Sequence, residues 1–254
     1  MKLIILLAPI LIVLLLLFDR MPSKAQVTLW ETYQSAGHQA IEDRRVADAE
    51  RLLLAAAKHI ETISRDDPRL ANTLNDLGVL YGMQNRDIEA EPLFERALAI
   101  NEKSFGRQHP SVILTLQNLS VIYASQNKFA EADRAAREGL EIGLELFGVY
   151  HPRIGSICRT VATVYTLEGK YEEAEGFAER SIVILENTLG ERHPETAQSL
   201  EMMIKLMWTT HREREAQILE ARLQTIRQRP SSDSESADEV DHNDDKNQHI
   251  ERGP

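Results

Sequence analysis

Cysteine and positive charge are both scarce in this chain of 254 residues. The single cysteine, Cys158, can form no internal disulfide, and it excludes a zinc site with two or more cysteine ligands. Lysine and arginine together number 29 against 40 acidic residues, which gives a formal net charge of −11. Because nucleic acids and anionic membrane surfaces repel such a chain, neither is expected to be its main partner.

Only one long apolar run occurs, and it lies at the amino terminus. Residues 3–18 are apolar with a single proline among them, behind a positively charged start. As a helix the run would span about 24 Å, less than the roughly 30 Å of a hydrocarbon core. Small residues before Gln26 suit signal-peptidase cleavage after Ala25. We predict that residues 1–25 are a cleaved signal peptide, which exports the rest to the periplasm or extracellular space. The alternative is an uncleaved membrane anchor.

The middle of the chain repeats with a period of 42 residues. Prolines recur at this spacing, and three of them follow a histidine. One set of tyrosines and one set of alanines share the period and the phase. The three sets are Pro68, Pro110, Pro152 and Pro194, then Tyr81, Tyr123 and Tyr165, and Ala90, Ala132 and Ala174. A fixed period of this size indicates a solenoid, in which each repeat packs against its neighbours.

Each repeat carries two helical patterns. After Pro110, apolar residues recur at steps of three and four, as in an amphipathic helix. Proline suits the first helical turn because its missing N–H would have no intrahelical partner there. A second helical pattern runs from about Phe129 to Phe147 and ends at Gly148. In the turn before it, Asn127 can adopt the left-handed conformation, and Gly169 can do so one repeat later. No useful stretch alternates with a period of two, so the sequence predicts an all-α fold of stacked helix pairs.

The marks within one repeat resemble those of the tetratricopeptide repeat family. They are Leu77-Gly78-x-x-Tyr81, Glu89-Ala90-Glu91, Phe94 and Ala97. The period and the Gly-x-x-His-Pro linker resemble the long-repeat variety typified by kinesin light chains, over about residues 27–228. This resemblance implies a right-handed superhelical solenoid of about five helix pairs, whose first helices line a concave groove. It names no partner, because members of the family bind unrelated proteins.

We divide the chain into a targeting segment (residues 1–25), a repeat domain (residues 26–229) and an acidic tail (residues 230–254). The tail has too few apolar residues to offset the entropy of ordering, so we predict that it is disordered. The last helix pair departs from the pattern and is polar, as the end of a solenoid must be to stay soluble. The five pairs span about residues 27–67, 68–109, 110–151, 152–193 and 194–229.

The concave groove supplies the candidate binding residues. Positions one and two residues before Leu77, and their equivalents in later repeats, are expected to face the groove. Amides there could pair with the backbone of an extended peptide, and Arg159 could meet a carboxylate. The alternative is an ordinary hydrated polar face. The candidates are Asn72, Asn75, Asp76, Gln117, Asn118, Arg159, Thr160 and Lys205.

A second candidate surface lies in the last pair, where Met203, Met207 and Trp208 replace leucines and a tyrosine. Exposed methionines adapt to many partners, so these residues could form a docking patch. We predict a non-catalytic scaffold that binds an extended segment of a protein partner in the groove. The alternative is a structural subunit of a membrane-associated or exported assembly, docking through this patch or by self-association into a homo-oligomer.

Residues that could carry chemistry have structural explanations. His109, His151 and His193 recur at one corner of successive repeats, too far apart to share a metal ion, and we interpret them as residues that help start a helix. Cys158 occupies an apolar packing position, where a buried and inert thiol is expected. The chain has no Gly-x-Ser-x-Gly, phosphate-binding glycine loop or metalloprotease histidine pair. We therefore predict no enzymatic activity, no cofactor and no metal.

Overall fold

A computed structural model of the chain describes residues 24–228, with side chains from residue 29 onward. These residues form ten helices and no strand, and consecutive helices pack in pairs. The predicted all-α solenoid of five helix pairs is confirmed. In chain order the helices are α1 Lys24–Glu42, α2 Val46–Ile63, α3 Pro68–Met83, α4 Asp87–Phe105, α5 Pro110–Ser125, α6 Phe129–Phe147, α7 Pro152–Glu168, α8 Tyr171–Leu189, α9 Pro194–Thr209 and α10 Glu213–Gln228.

Most of the predicted targeting segment and the whole acidic tail lie outside the described residues. The predicted cleavage site, between Ala25 and Gln26, falls at the start of α1, so a chain beginning at Gln26 would lose only two residues of that helix. Within residues 24–228 no helix is long and apolar enough to cross a membrane. Cleavage therefore stays a prediction.

The first helix of each later pair starts at the proline that marks the period. The residue before the proline caps the helix, because its side chain accepts a hydrogen bond from the N–H two residues further on. In α3 the capping atom is Asp67 Oδ1, which lies 2.9 Å from the backbone nitrogen of Arg69. In α5, α7 and α9 it is the Nδ1 atom of His109, His151 or His193, at 3.1–3.2 Å. The interpretation of these histidines as helix-starting residues is confirmed.

Close approach of the two helices in a pair depends on small residues. A Cβ atom at Gly78 would lie 2.6 Å from the buried ring of Phe94 on α4, so only glycine fits there. Ala132 and Ala162 are likewise fully buried at the equivalent contacts of later pairs. The turn inside each pair uses a left-handed residue, such as Asn127 with φ 61° or Gly169 with φ 83°, as predicted.

The periodic tyrosines join each repeat to the one before it. The hydroxyls of Tyr81, Tyr123 and Tyr165 donate hydrogen bonds of 3.0 Å to Glu50, Glu95 and Asp133 on the preceding second helices. A basic residue five positions after each tyrosine lies over its ring, at 3.9–5.8 Å from the centroid. The sequence interpretation missed these basic residues, although they too keep the 42-residue period, at Arg86, Lys128 and Lys170.

The two sides of the solenoid differ in how closely the repeats approach. First helices contact the first helices of neighbouring pairs, whereas the second helices of consecutive pairs show no comparable packing among the described residues. Ion pairs between long side chains, such as Arg96–Glu61 and Lys103–Asp66, cross the gaps between second helices instead, where clefts open. The first helices α3, α5, α7 and α9 therefore lie on the inner, concave side.

Candidate functional site

One stripe of each first helix faces the concave side, with members at steps of four, three and four residues. All of these side chains are exposed or half-buried except that of Met202, which is 8% exposed. We call this set the concave stripe. It consists of Asn72, Asp76, Val79 and Met83 on α3, Leu114, Asn118, Val121 and Ser125 on α5, Ser156, Thr160, Thr163 and Leu167 on α7, and Gln198, Met202, Lys205 and Thr209 on α9.

Five of the eight predicted groove residues belong to the concave stripe. Asn72 and Lys205 are exposed, whereas Asp76, Asn118 and Thr160 are half-buried. Because they come from four consecutive first helices, they outline a surface long enough for an extended chain segment. Their role in binding stays a prediction.

Asp76 already has partners inside the protein. Its Oδ2 atom accepts a hydrogen bond from the side-chain amide of Gln34 on α1, and it lies 2.8 Å from Nε2 of His38 on the same helix. This cluster closes the N-terminal end of the concave stripe. Asp76 is therefore less available to a ligand than Asn118, for which the described residues provide no side-chain hydrogen bond.

Asn75 does not line the groove, which corrects the sequence interpretation. Its side chain is 6% exposed, and Nδ2 donates to the carbonyl of Ala71 at 3.0 Å and to Oγ1 of Thr115 at 3.1 Å. Gln117, one repeat later, donates to Oγ1 of Thr160 on the next first helix at 3.0 Å. Asn75 and Gln117 therefore point toward the neighbouring first helix rather than toward open solvent, and they join successive first helices together.

Arg159 occupies the same position on α7 but has no partner. It is half-buried, its Nε atom is buried, and its guanidinium has no hydrogen-bond or ion-pair partner among residues 29–228. Burial lowers the pKa of its guanidinium, while the charges of Glu195 and Glu201 on α9 act in the opposite direction. Both carboxylates have other partners, since Glu195 accepts from Ser156 and Glu201 pairs with Arg227.

An unpaired and partly desolvated charge is costly, and an incoming carboxylate would relieve that cost. Arginine keeps its proton at any physiological pH, so the charge persists despite the lowered pKa. Arg159 is therefore the strongest anchor for an anionic group on the concave side.

Apolar members of the concave stripe escaped the sequence interpretation. Leu114 is 53% exposed, Val79 is 43% exposed and Leu167 is 42% exposed. They stand on three consecutive first helices, beside the polar members. Comparing positions 42 residues apart could have found one of them, because Leu114 shares its position with Asn72, a predicted groove residue. The concave side thus combines apolar contacts with two positive charges, those of Arg159 and Lys205.

The predicted docking patch is not one exposed surface. Met203 and Met207 are buried, at 5% and 2% exposure, and only Trp208 is open, with Nε1 donating to Oε1 of Glu220 at 2.8 Å. The two methionines instead form part of the floor of a cleft of about 580 Å³ between α8, α9 and α10. The cleft opens on the convex side beside Ile218, which is 62% exposed.

The candidate catalytic groups are placed as structural residues. Cys158 is fully buried, and burial raises the pKa of its thiol to about 11, as expected for an inert cysteine. Over the part of the chain that the structure describes, no group of three or more histidine, cysteine, aspartate or glutamate side chains is placed to hold a metal ion.

The repeat architecture agrees with comparisons to known proteins. Tetratricopeptide repeat models match residues 32–103, 86–145 and 156–195. The chain belongs to the tetratricopeptide repeat family. Proteins of this family are generally non-catalytic scaffolds for protein interaction. No curated protein matches the chain.

Solved structures similar to this tetratricopeptide repeat protein share its fold at low sequence identity. A Podosopora anserina protein described as a kinesin light chain, with nearly identical TPR-like repeats, is 21% identical to this chain, with a TM-score of 0.63 over 81% of this chain and 97% of that one. BtubC from P. vanneervenii is 18% identical, with a TM-score of 0.59 over 81% and 92%. A Rap protein complexed with competence and sporulation factor is 16% identical, with a TM-score of 0.67 over 78% of this chain and 53% of that one.

Proposed function

We propose that the concave stripe binds an extended segment of a partner protein, which makes this chain a non-catalytic interaction scaffold. The observation that carries the proposal is Arg159, a half-buried guanidinium without a partner among the described residues, next to exposed apolar side chains such as Leu114. A segment that places a carboxylate at Arg159 and apolar side chains along the stripe would satisfy both features.

Similar folds in complexes support the proposal. The Rap protein described above was solved with competence and sporulation factor, and a second Rap protein, a conjugation gene regulator, with the Phr* peptide. This chain spans about half of each of those proteins. These complexes support the idea that a solenoid of this shape can hold a peptide. The binding residues proposed here rest on the contacts and exposure of this chain's own side chains.

Selection of peptides tests the proposal directly. A random peptide library displayed on phage is selected against the full chain, and the affinities of the selected peptides are measured by fluorescence anisotropy. Leu114→Asp and Arg159→Gln should each weaken binding about tenfold or more, which corresponds to roughly 1.4 kcal/mol. Arg159→Gln removes the positive charge, and Leu114→Asp replaces an apolar contact with a negative charge.

The control is Leu54→Asp, which makes the same change on the second helix α2, where Leu54 is 46% exposed. It should leave the affinity within about twofold. If the selected peptides keep their affinity in both concave variants and lose it in the Leu54 variant, the binding surface is not the concave stripe.

The cleft at the C-terminal end supports a second candidate function, that of a structural subunit in a larger assembly. Its floor includes buried Met203 and Met207, and Ile218 and Val183 remain more than half exposed beside it. A partner that covers these two side chains would bury apolar surface without disturbing the core. Ile218→Asp should then abolish assembly and leave peptide binding unchanged, whereas Leu114→Asp should do the opposite.

We propose that the signal peptide exports this scaffold to the periplasm or the extracellular space. The proposal rests on the apolar run of residues 3–18 and the small residues before Gln26. The intact mass of the protein from its native host tests it. A chain that begins at Gln26 in the soluble exported fraction supports cleavage, and a chain that begins at Met1 in the membrane fraction means an uncleaved anchor.

A further inference from the structure

The C-terminal end of α10 is tied to α9, the first helix of the repeat that follows Arg159. Arg227, one residue before the last residue of α10, forms an ion pair with Glu201 on α9. Glu201 occupies on α9 the position that Arg159 occupies on α7, 42 residues earlier, and its charge acts on Arg159. Neighbouring packed helices are about 8–10 Å apart. The chain that follows α10 therefore starts within about two helix diameters of an unpaired guanidinium.

That following chain carries charge of the complementary sign. Between Ser231 and Asp245 it contains seven acidic residues and no lysine or arginine. The first of these acids, Asp233, is five residues beyond Gln228, and an extended chain spans about 3.3 Å per residue, so it can reach about 17 Å. Later acids reach further. Several carboxylates can thus arrive at Arg159 without any change in the solenoid.

We propose that the acidic segment Ser231–Asp245 folds back onto the C-terminal end of the concave stripe, with a carboxylate paired to Arg159. Lys205, exposed on the concave stripe of α9, adds a second positive charge to the same end. Because the segment is tethered, its effective concentration at this site is about millimolar, so even a weak contact is populated. The segment competes with a partner for Arg159, and this regulatory role rests on the proposed function.

Paramagnetic relaxation in the full chain tests the contact itself. Ser236→Cys places one reactive thiol in the segment, since Cys158 is fully buried and does not react with a spin label. The nitroxide should broaden the amide signals of Thr163 and Lys205 on the concave side to less than about half their intensity. Signals on the convex helix α6, such as that of Glu141, should stay unaffected.

Arg159→Gln should restore the broadened signals, and so should about 0.5 M salt, because screening weakens exposed ion pairs. The matched control is Arg134→Gln, the same change on the exposed face of α6, which should leave the broadening in place. Absence of broadening in the wild-type chain, or broadening that is unchanged in Arg159→Gln, overturns the proposal.

Competition separates this proposal from the proposed function. Replacing the seven acids of 231–245 by their amides should raise the affinity of the selected peptides about two- to tenfold. If no peptide is selected while the broadening persists, the tail contact stands and the peptide-binding function fails. If peptides bind both chains equally and no broadening occurs, the function stands and the tail contact is refuted.

Discussion

Two glycines inside helices are expected to respond to alanine in opposite ways. At Gly78 a Cβ would lie 2.6 Å from the ring of Phe94, which is 1% exposed and cannot move aside. At Gly176, inside α8, a Cβ would have nothing within 4 Å. Gly78→Ala should lower the free energy of unfolding by about 1–3 kcal/mol through overpacking. Gly176→Ala should raise it by about 0.5–1 kcal/mol, because alanine loses less backbone entropy in a helix.

Urea unfolding followed by circular dichroism measures both changes. Each variant is the control for the other, since the chemical change is identical and only the surroundings differ. Equal effects of the same sign would contradict the argument that the contact with Phe94 decides the residue at position 78.

Residue roles could be predicted where they depend on one repeat and not where they depend on two. Ala90, Ala132 and Ala174 recur with the period and all three are fully buried, so the spacing between repeats was enough to find them. Asn75 is covered by Thr115, which belongs to the next repeat. Arg159 stays unpaired because Glu195 and Glu201 have other partners. Neither fact is visible in the local pattern, because each depends on how successive first helices face one another.

At the scale of one element, the cap of each first helix gives a separable contribution to stability. His151 accepts a hydrogen bond from the Arg153 N–H at 3.1 Å, and its ring stacks on Phe147 with centroids 4.7 Å apart. His151→Ala removes both contacts, whereas His151→Asp keeps an acceptor in the place that Asp67 fills at the start of α3. The alanine variant should be less stable than the aspartate variant by about 0.5–2 kcal/mol, the usual value of an N-cap.

Thermal or urea unfolding of the two His151 variants measures this difference. Both lose the stacking on Phe147, so their difference reports the cap together with the negative charge that aspartate adds at the helix N-terminus. Equal stabilities would mean that the hydrogen bond from Arg153 contributes nothing measurable.

Helix boundaries could be predicted well because their chemistry is local. A capping side chain, a proline and a left-handed residue act within a few residues of one another. The second helices show the limit of such prediction. Ion pairs such as Arg96–Glu61 join residues of consecutive repeats across open clefts, and their partners are set by the curvature of the solenoid. Since exposed pairs contribute about 0–1 kcal/mol, these contacts affect the surface more than the stability.

At the largest scale, the buried core of residues 29–228 consists of two large clusters joined by a small one. One large cluster extends from Ala40 to Ile100 and the other from Val112 to Leu223. The small cluster contains Phe94, with Tyr81 and Ala90 on the N-terminal side and Leu119 and Ile122 on α5. In a solenoid, cooperativity is carried by contacts between neighbouring repeats. Phe94 therefore stands where the two halves of the molecule are coupled.

Phe94→Ala should make the two halves unfold separately. Truncating a buried phenylalanine costs about 3–5 kcal/mol, and here the loss falls on the junction. Cys158 reports on the C-terminal half, because its thiol is fully buried with a pKa raised to about 11 and becomes reactive at pH 8 only when α7 opens. In the wild-type chain, loss of helix by circular dichroism and alkylation of Cys158 should coincide along a urea titration.

In Phe94→Ala, part of the helical signal should be lost at urea concentrations where Cys158 is still protected. The control is Leu185→Ala, a truncation of a fully buried side chain in the C-terminal half. It should expose Cys158 at the same urea concentration as the loss of helix, or earlier. If helix loss and alkylation still coincide in Phe94→Ala, the coupling between the halves does not pass through the small cluster. The five repeats would then unfold as one unit, held together by the contacts between first helices along the concave side.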